Sequence, residues 1–211
     1  MGAEVPKQFI ELGGKAILQK TIEVFMEACP DISVITVLPE SYIDYWRQYC
    51  LDRNFICPQI LVKGGITRFQ SVKNALAKVP EGALVAVHDG ARPLISLEVI
   101  DRTVRAAHTY GAAAPAVPVK DTIKVVRGGV VSETPDRSTL QAVQTPQVFD
   151  ADLLRGALQK AKEDNAQITD DCSAVERMGM SVKIVEGDER NIKVTTPMDL
   201  KVAEMLLEEM Q

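Results

Sequence analysis

Apolar and polar positions follow two different periods along this chain, and the period separates predicted helices from predicted strands. Apolar residues at helical spacing predict helices over residues 16–28, 42–49, 72–79, 97–110, 150–162 and 197–210. Short β-branched or small apolar runs predict strands over residues 32–38, 60–62, 84–87, 112–119, 181–185 and 191–195. Because helices and strands alternate, the pattern predicts an α/β fold with a doubly wound, mostly parallel sheet.

Several of the predicted helices begin at residues that are typical N-caps. Ser41, Ser96 and Thr169 each precede a helical segment and carry a hydroxyl that can accept a backbone N–H bond. Residues 196–199 read Thr-Pro-Met-Asp, which predicts a capping box with proline in the first turn. Acidic residues 170 and 171 would then stabilise the helix dipole behind Thr169.

The alternation of strands and helices breaks after residue 119. Residues 121–126 and 130–134 flank Arg127, Gly128 and Gly129, which predicts a β-hairpin. An isolated two-stranded hairpin is marginally stable in water, so we expect it to lie on another surface, with a second subunit as the economical candidate. The chain is thus expected to form a single domain over residues 1–211 with a protruding β-arm at about 120–140.

Composition narrows the class of protein. The 211 residues are 46% hydrophobic and 25% charged, which is ordinary for a globular protein, and the net charge is −5. The negative charge argues against nucleic-acid or anionic-membrane partners but permits a local basic pocket for a small anion. No apolar run approaches 18 residues and no signal pattern opens the chain, so a cytoplasmic location is expected. Four scattered cysteines without a CxxC motif indicate reduced thiols rather than a zinc site.

The turn after the predicted strand 84–87 holds the densest chemistry in the chain. This strand reads as a buried parallel strand and ends in His88, Asp89, Gly90 and, two residues on, Arg92. Open α/β sheets bind ligands at the carboxyl ends of their strands. There Asp89 suits a hard cation such as Mg²⁺, Arg92 suits a phosphate, and His88 could supply a ring cation. The alternative is that Asp89 only caps a turn and that Arg92 is a solvated charge.

A second candidate loop contains Gly64 and Gly65 between a predicted strand and helix. Paired glycines let the backbone approach a ligand closely, and the following helix offers free N–H groups. The motif is weak by itself. On residues alone, Lys7 is a solvated surface charge, whereas Lys193 alternates with apolar neighbours in a short predicted strand.

Seven short motifs occur in order along the chain, at residues 6–9 (PKQF), 64–71 (GGITRFQS), 88–93 (HDGARP), 121–124 (DTIK), 144–147 (QTPQ), 168–170 (ITD) and 191–195 (NIKVT). Together they resemble the 2-C-methyl-D-erythritol 4-phosphate cytidylyltransferase family of the non-mevalonate isoprenoid pathway. The resemblance implies a Rossmann-like, Mg²⁺-dependent nucleotidyltransferase that dimerises through its arm. It also implies transfer of a cytidylyl group from CTP to the sugar-alcohol phosphate, giving 4-diphosphocytidyl-2-C-methyl-D-erythritol and pyrophosphate.

The resemblance implies a role for each matching residue. Lys7 and Lys193 would neutralise charge on the reacting phosphates, and Asp89 would lie near Mg²⁺ and the CTP. Gly65 and Ser71 match the segment that reads the cytosine ring. The pocket for the sugar phosphate would be formed by Arg92, Thr122, Arg137, Thr145 and Thr169. The hairpin around Thr122 would reach this pocket from the other subunit.

The sequence departs from the family pattern at its start. The family opens with an apolar strand and a glycine-rich, arginine-containing loop around the CTP triphosphate, ahead of the position that Met1 matches. Either the printed sequence starts late or the chain lacks part of its CTP site, so we expect a form extended upstream by roughly 10 to 20 residues to bind CTP more tightly. Two alternatives stay open: a ribitol 5-phosphate cytidylyltransferase, and an N-terminally truncated form with weak or no activity.

Overall fold

The computed structural model describes residues 6–210, which form seven α-helices and eleven β-strands. The helices are α1 (Ile17–Ala28), α2 (Ile43–Asp52), α3 (Arg68–Leu76), α4 (Leu97–Tyr110), α5 (Ala151–Glu163), α6 (Asp171–Arg177) and α7 (Pro197–Glu209). The strands are β1 (Glu11–Leu12), β2 (Lys15–Ala16), β3 (Val34–Leu38), β4 (Gln59–Lys63), β5 (Leu84–Val87), β6 (Ala112–Pro118), β7 (Val125–Arg127), β8 (Val130–Glu133), β9 (Gln141–Val143), β10 (Gln147–Asp150) and β11 (Lys183–Glu186). No helix in this range combines the length and apolar character needed to cross a bilayer.

The central sheet has the strand order β11–β6–β10–β5, with β9 also paired to β6. Strands β5, β6 and β11 run in one direction, and β10 is inserted antiparallel between β5 and β6. Strands β3 and β4 form a separate parallel pair. The predicted α/β fold with a mostly parallel sheet is confirmed by strand direction. The prediction of a buried strand at β5 with parallel neighbours is wrong in detail, because β5 pairs with the antiparallel β10 and its side chains are only partly covered.

Strand β6 shows why helices cover both faces of this sheet. Ala112 and Ala114 pack in one core cluster with residues of α3, α5 and α6, whereas Ala113 packs in another with Ala107 of α4. Successive side chains on a strand point to opposite faces, so the alternating contacts place helices on both sides. The small methyl groups allow those helices to approach the sheet closely.

A second layer of core lies around the aromatic residues of α2. Trp46 is fully buried, contacts the rings of Phe9 and Tyr49, and donates an indole N–H bond of 2.9 Å to Oε1 of Gln59. Trp46 therefore anchors α2 in this second layer of the core.

Helix starts agree with the predicted caps in two places and differ in two others. The Ser96 hydroxyl accepts from Val99 N, and Thr196 forms the predicted capping box with Asp199. Helix α6 is capped by Asp170 instead of Thr169, because the carboxylate accepts from the backbone N–H three residues on. Helix α2 begins at Ile43 after a 3-10 turn, so Ser41 is not its cap.

The predicted hairpin is present as antiparallel strands β7 and β8. Its valines stand largely in solvent, with Val126, Val130 and Val131 exposed by 55%, 69% and 54%. Strand β9 then returns the chain to the edge of β6. The hairpin is therefore an apolar arm that its own chain leaves uncovered.

Candidate active site

Three charged side chains meet at the carboxyl end of β5. The Asp89 Oδ2 atom lies 3.0 Å from Lys193 Nζ and 3.3 Å from Arg92 Nε. Burial raises the pKa of the Asp89 carboxyl, but Lys193 and Arg92 together outweigh burial and hold the pKa below its usual value. Asp89 is therefore ionised at neutral pH, and Arg92, only 14% exposed, is not the solvated charge of the alternative interpretation.

His88 is held neutral beside this carboxylate by burial. Its Nε2 atom lies 3.2 Å from the Arg92 carbonyl, which can only accept, so Nε2 carries the ring hydrogen. Its Nδ1 atom lies 3.0 Å from the Thr145 hydroxyl, which in turn accepts the Asp89 N–H at 3.1 Å. Burial lowers the pKa of His88 from 6.5 to about 4. The expected ring cation is thus wrong at neutral pH, and His88 instead fixes the turn that carries Asp89 and Arg92.

The loop between β4 and α3 closes on itself through Ser71. The Gly65 N–H donates to Ser71 Oγ at 3.0 Å, and Ser71 Oγ donates to the Thr67 carbonyl at 3.0 Å. A Cβ atom at Gly65 would lie only 2.2 Å from Gln70 Cβ, so the position accepts glycine alone without a shift of the loop. Glycine is thus required here by a contact within the loop itself, whereas the predicted reason was close approach of the backbone to a ligand.

Asp171 is a buried acid that the sequence reading assigned only to the helix dipole. Its side chain is 1% exposed, and Oδ2 lies 2.5 Å from Nη1 of Arg68 at the start of α3. The contact is an ion pair without hydrogen-bond geometry, since neither carboxylate oxygen has a hydrogen-bond partner in the described range. Burial raises the pKa of Asp171, and Arg68 offsets part of this. The ion pair therefore connects the start of α6 to the start of α3, the helix that follows the loop containing Gly65.

The other predicted site residues make no direct polar contact with Asp89, Arg92 or Lys193. Lys7 belongs to a 3-10 turn, Thr122 and Thr169 are exposed, and Arg137 donates to the Lys120 carbonyl at 2.7 Å. No hydrogen bond or ion pair within residues 6–210 joins these four to Asp89, Arg92 or Lys193. Direct contacts within one chain therefore join only part of the predicted set, namely Asp89, Arg92, Lys193 and Thr145.

Two open clefts mark the surface. One, of about 700 Å³, lies at the base of the arm and is lined by Pro118, Val119, Lys120, Asp136, Arg137, Ser138, Leu140 and Gln141. The other, of about 730 Å³, is lined by residues of α2, β4 and the segment between them and includes none of the predicted site residues. Of these two clefts, only the one at the base of the arm is lined by a predicted site residue, Arg137.

The sequence profile of the 2-C-methyl-D-erythritol 4-phosphate cytidylyltransferase family matches residues 1–209. The family's protein from Bacteroides fragilis is 46% identical over 208 residues, which cover 98% of this chain and 93% of that protein. The corresponding protein from one Clostridium perfringens strain is 45% identical over 206 residues, covering 97% of this chain and 91% of that protein.

Solved structures agree with the sequence match. The crystal structure of 2-C-methyl-D-erythritol 4-phosphate cytidylyltransferase from Thermus thermophilus has a TM-score of 0.82 at 33% identity and covers 96% of this chain and 94% of that one. The 4-diphosphocytidyl-2C-methyl-D-erythritol synthase of Anaerococcus prevotii has a TM-score of 0.87 at 29% identity and covers 95% of this chain and 93% of that one.

The chain belongs to this cytidylyltransferase family. The predicted class of enzyme, a nucleotidyltransferase, and the predicted fold are both confirmed at this level. In this cytidylyltransferase, sequence reasoning missed the neutral state of His88, the Arg68–Asp171 pair and the roles of two buried amides, Gln144 and Asn191. The sequence did contain a signal for the two amides. Both belong to motifs that match the family, and neither had been given a ligand-binding role, which leaves a structural role for them.

Proposed function

We propose that this cytidylyltransferase uses CTP and 2-C-methyl-D-erythritol 4-phosphate to make 4-diphosphocytidyl-2-C-methyl-D-erythritol and pyrophosphate for isoprenoid precursor synthesis. The end-to-end family match supports this reaction. The observation that carries its location is the Lys193–Asp89–Arg92 cluster at the carboxyl end of β5. A cytoplasmic location stays a prediction.

In the proposed reaction, an oxygen of the sugar-alcohol phosphate attacks the α-phosphorus of CTP. A new P–O bond forms there, the bond from the α-phosphorus to the bridging oxygen of the β-phosphate breaks, and pyrophosphate leaves with that electron pair. The attacking phosphate is already an anion, so no general base is required. What the protein must supply is in-line positioning and positive charge, which we assign to Lys193 and Lys7.

Recognition of the two substrates is proposed at two places. Gly65 and Ser71 would read the cytosine ring, since their loop presents backbone groups next to a helix N-terminus. The sugar phosphate would contact Arg92, Thr122, Arg137, Thr145 and Thr169. The Thr145 hydroxyl already accepts one bond and donates one, so it can accept a single further bond from a ligand.

Mg²⁺ is proposed to arrive with the triphosphate and to contact the protein through Asp89. Residues 6–210 contain no group of three or more metal-ligating side chains. A single ionised carboxylate still fits Mg²⁺, which usually keeps several waters and binds through one or two carboxylates together with substrate phosphates. When bound, the ion would neutralise charge on the triphosphate.

An assay of the purified protein with CTP, Mg²⁺ and either of two acceptor phosphates tests the proposal. We expect release of pyrophosphate and a diphosphocytidyl product with methylerythritol phosphate, and little of either with ribitol 5-phosphate. Preference for ribitol 5-phosphate would favour the related pentitol enzyme. Absence of product with both acceptors, in a protein that is folded by circular dichroism, would contradict the proposed activity of this chain.

The arm is proposed to pack on a second copy of the chain and to carry Thr122 into the partner's pocket. The exposed valines of β7 and β8 support this, because a hairpin of two short strands gains stability only against another surface. Thr122 is exposed and has no hydrogen bond to the Asp89 cluster within residues 6–210, which fits a contribution to the other subunit's pocket.

A further inference from the structure

A loop over residues 187–194 carries Lys193 to Asp89, and buried amides fasten its first half to the sheet. Gly187 N–H donates to the Ala116 carbonyl at 2.8 Å, and Gln144 Nε2 donates to the Asp188 carbonyl at 2.8 Å. A Cβ atom at Gly187 would lie 2.6 Å from Gln144 Oε1 and 3.0 Å from the Ala116 carbonyl oxygen. The loop therefore sits directly on the end of β6.

Asn191 is the most deeply buried polar residue of this loop, with 0% of its surface exposed. Its Nδ2 group donates to the Thr145 carbonyl at 2.9 Å and to Gln144 Oε1 at 3.3 Å, so both amide hydrogens are used. Both partners are acceptors in these contacts, which fixes the orientation of the amide. Its own Oδ1 is buried without a partner in the described range, a state that is unfavourable for a polar atom.

The same residue also meets the charged cluster through its backbone. The Asn191 carbonyl accepts from Arg92 Nη1 at 2.7 Å, and the Val194 N–H donates to the Ala91 carbonyl at 2.8 Å. Between these two bonds stands Lys193, whose Nζ lies 3.0 Å from Asp89 Oδ2. The loop is thus tied to the Asp89 turn on both sides of Lys193.

We propose that Asn191 is a positioning residue for cytidylyl transfer, whose buried amide locks the 187–194 loop so that Lys193 and Arg92 converge on one carboxylate. The inference rests on the proposed function for its catalytic consequence. In this proposal Asn191 does not contact the substrate and acts only through Lys193. The Lys193 side chain is half-exposed, and within residues 6–210 its one ion pair is with Asp89.

Asn191→Asp tests the proposal, because the carboxylate keeps the shape and replaces both donors by acceptors facing two oxygens. A misplaced catalytic group costs on the order of 100-fold, so we expect kcat to fall about 10- to 100-fold. The matched control is Gln19→Glu, which makes the same change at another buried amide, one that contacts Glu23 and Tyr49. This control should lower the melting temperature but keep kcat per folded molecule.

A double variant separates positioning from general destabilisation. If Asn191 acts through Lys193, Asn191→Asp combined with Lys193→Ala should lose no more activity than Lys193→Ala alone. Multiplied losses in the double variant, or a kcat for Asn191→Asp within about twofold of wild type, would overturn the proposal. If the aspartate variant does not fold, Asn191→Ser, which keeps one donor, takes its place.

Hydrogen exchange gives a readout that does not depend on activity. Asn191→Asp should speed exchange of backbone amides in residues 187–194 while leaving α1 and α4 unchanged. Gln19→Glu should speed exchange in α1 while leaving residues 187–194 unchanged. If the exchange rates of residues 187–194 were unchanged in Asn191→Asp, the proposal that Asn191 holds this loop in place would be overturned, even if the wild-type enzyme were active. An inactive wild-type protein whose loop loosens in this way would instead contradict the proposed function and leave the lock supported.

Discussion

Two adjacent titratable residues, His88 and Asp89, are held in their neutral and charged forms by different surroundings. Burial outweighs the bond to the Arg92 carbonyl and keeps His88 neutral, whereas Asp89 faces two cations that stabilise its negative charge. The outcome is a turn with one fixed anion on which the protein's own cations converge. In the proposed reaction, a triphosphate that approached this point would meet Lys193 and Arg92 already in place.

Lys193→Ala should lower turnover about 100-fold or more, since loss of one electrostatic donor in a transfer site has an effect of this size. The side chain is partly exposed and belongs to no core cluster, so the melting temperature should change little. Steady-state kinetics and a thermal scan of the same samples measure both. Lys160→Ala, which removes a lysine paired with Asp164 on α5, is the matched control. Near-normal turnover of Lys193→Ala would contradict the assignment.

The neutral state of His88 predicts a loss of stability in mild acid. Between pH 6.5 and about 4, the unfolded chain binds a proton at His88 that the folded chain does not. The free energy of unfolding should therefore fall as the pH drops through this window, by up to about 3 kcal/mol. The pKa of Asp89 is lowered from 3.8, so protonation of Asp89 reduces the free energy of unfolding only at a pH below this window.

Urea unfolding of wild type and His88→Gln over this pH range measures the contribution of His88. The variant keeps a donor toward Arg92 but cannot bind a proton, so its stability should change less with pH. Other titrating groups cancel in the comparison. If the free energy of unfolding depended equally on pH in wild type and His88→Gln, the His88 ring would not be the cause of the acid-induced loss of stability.

At the scale of the elements, the β4–α3 loop is the part whose conformation depends most on a single residue. Gly65→Ala places a methyl group against Gln70, whose side chain accepts the Ile66 N–H at 2.8 Å and so supports the loop. A strain of about 1–3 kcal/mol is typical of such overpacking. If the protein relieves this strain by moving the β4–α3 loop, the affinity for CTP should fall about 10- to 100-fold.

Calorimetric titration with CTP and Mg²⁺ measures this loss. Gly156→Ala is the control, because its new methyl group would meet only Met178 Cε at an ordinary 3.8 Å and replaces glycine within helix α5. That change should stabilise the protein slightly or leave it unaffected. Wild-type affinity for CTP in the Gly65→Ala variant would argue against a nucleotide site in this loop.

The sequence predicted elements where local chemistry decides the structure and failed where distant partners decide it. The capping residues Ser96 and Thr196 bond within their own helices, so their positions were readable. The antiparallel insertion of β10 depends on its neighbours and has no signal in apolar periodicity. Residues 191–195, predicted as a strand, form no ladder, because Asn191 N–H bonds to Asp188 and Val194 N–H to Ala91.

The candidate site was predictable only in part for the same reason. Asp89 and Arg92 were visible as charges after a strand, but their convergence with Lys193 requires two segments about a hundred positions apart to meet. The burial of Asp171 depends on packing by remote elements, so no local pattern distinguishes it from a surface residue, and Asn191 is marked only by its place in a matching motif. The expectation that a form extended upstream binds CTP more tightly stays a prediction.

At the scale of the whole molecule, the arm should decide the oligomeric state. Val126 and Val131 lie opposite each other on β7 and β8. Val126→Lys with Val131→Glu would remove their apolar surface while the opposite charges keep the hairpin paired. Loss of about 1.5–3 kcal/mol of burial for each valine should weaken a dimer at least tenfold.

Sedimentation at micromolar concentration measures the change. Val202→Lys on α7, another exposed valine, is the control and should sediment like wild type. A wild-type protein that is monomeric with its arm intact would contradict the proposed interface. If Thr122 serves the partner's pocket, specific activity of the double variant should also fall on dilution.

The alanines of β6 have a consequence for how this enzyme can diverge. Ala112, Ala113 and Ala114 are fully buried between two layers of helices, so replacement by valine adds volume that neither layer can yield without moving. Each such change would cost about 1–3 kcal/mol, a large share of the stability of an ordinary domain. The middle of the sheet therefore tolerates little change in side-chain volume, whereas the loops and the arm are free of this packing constraint.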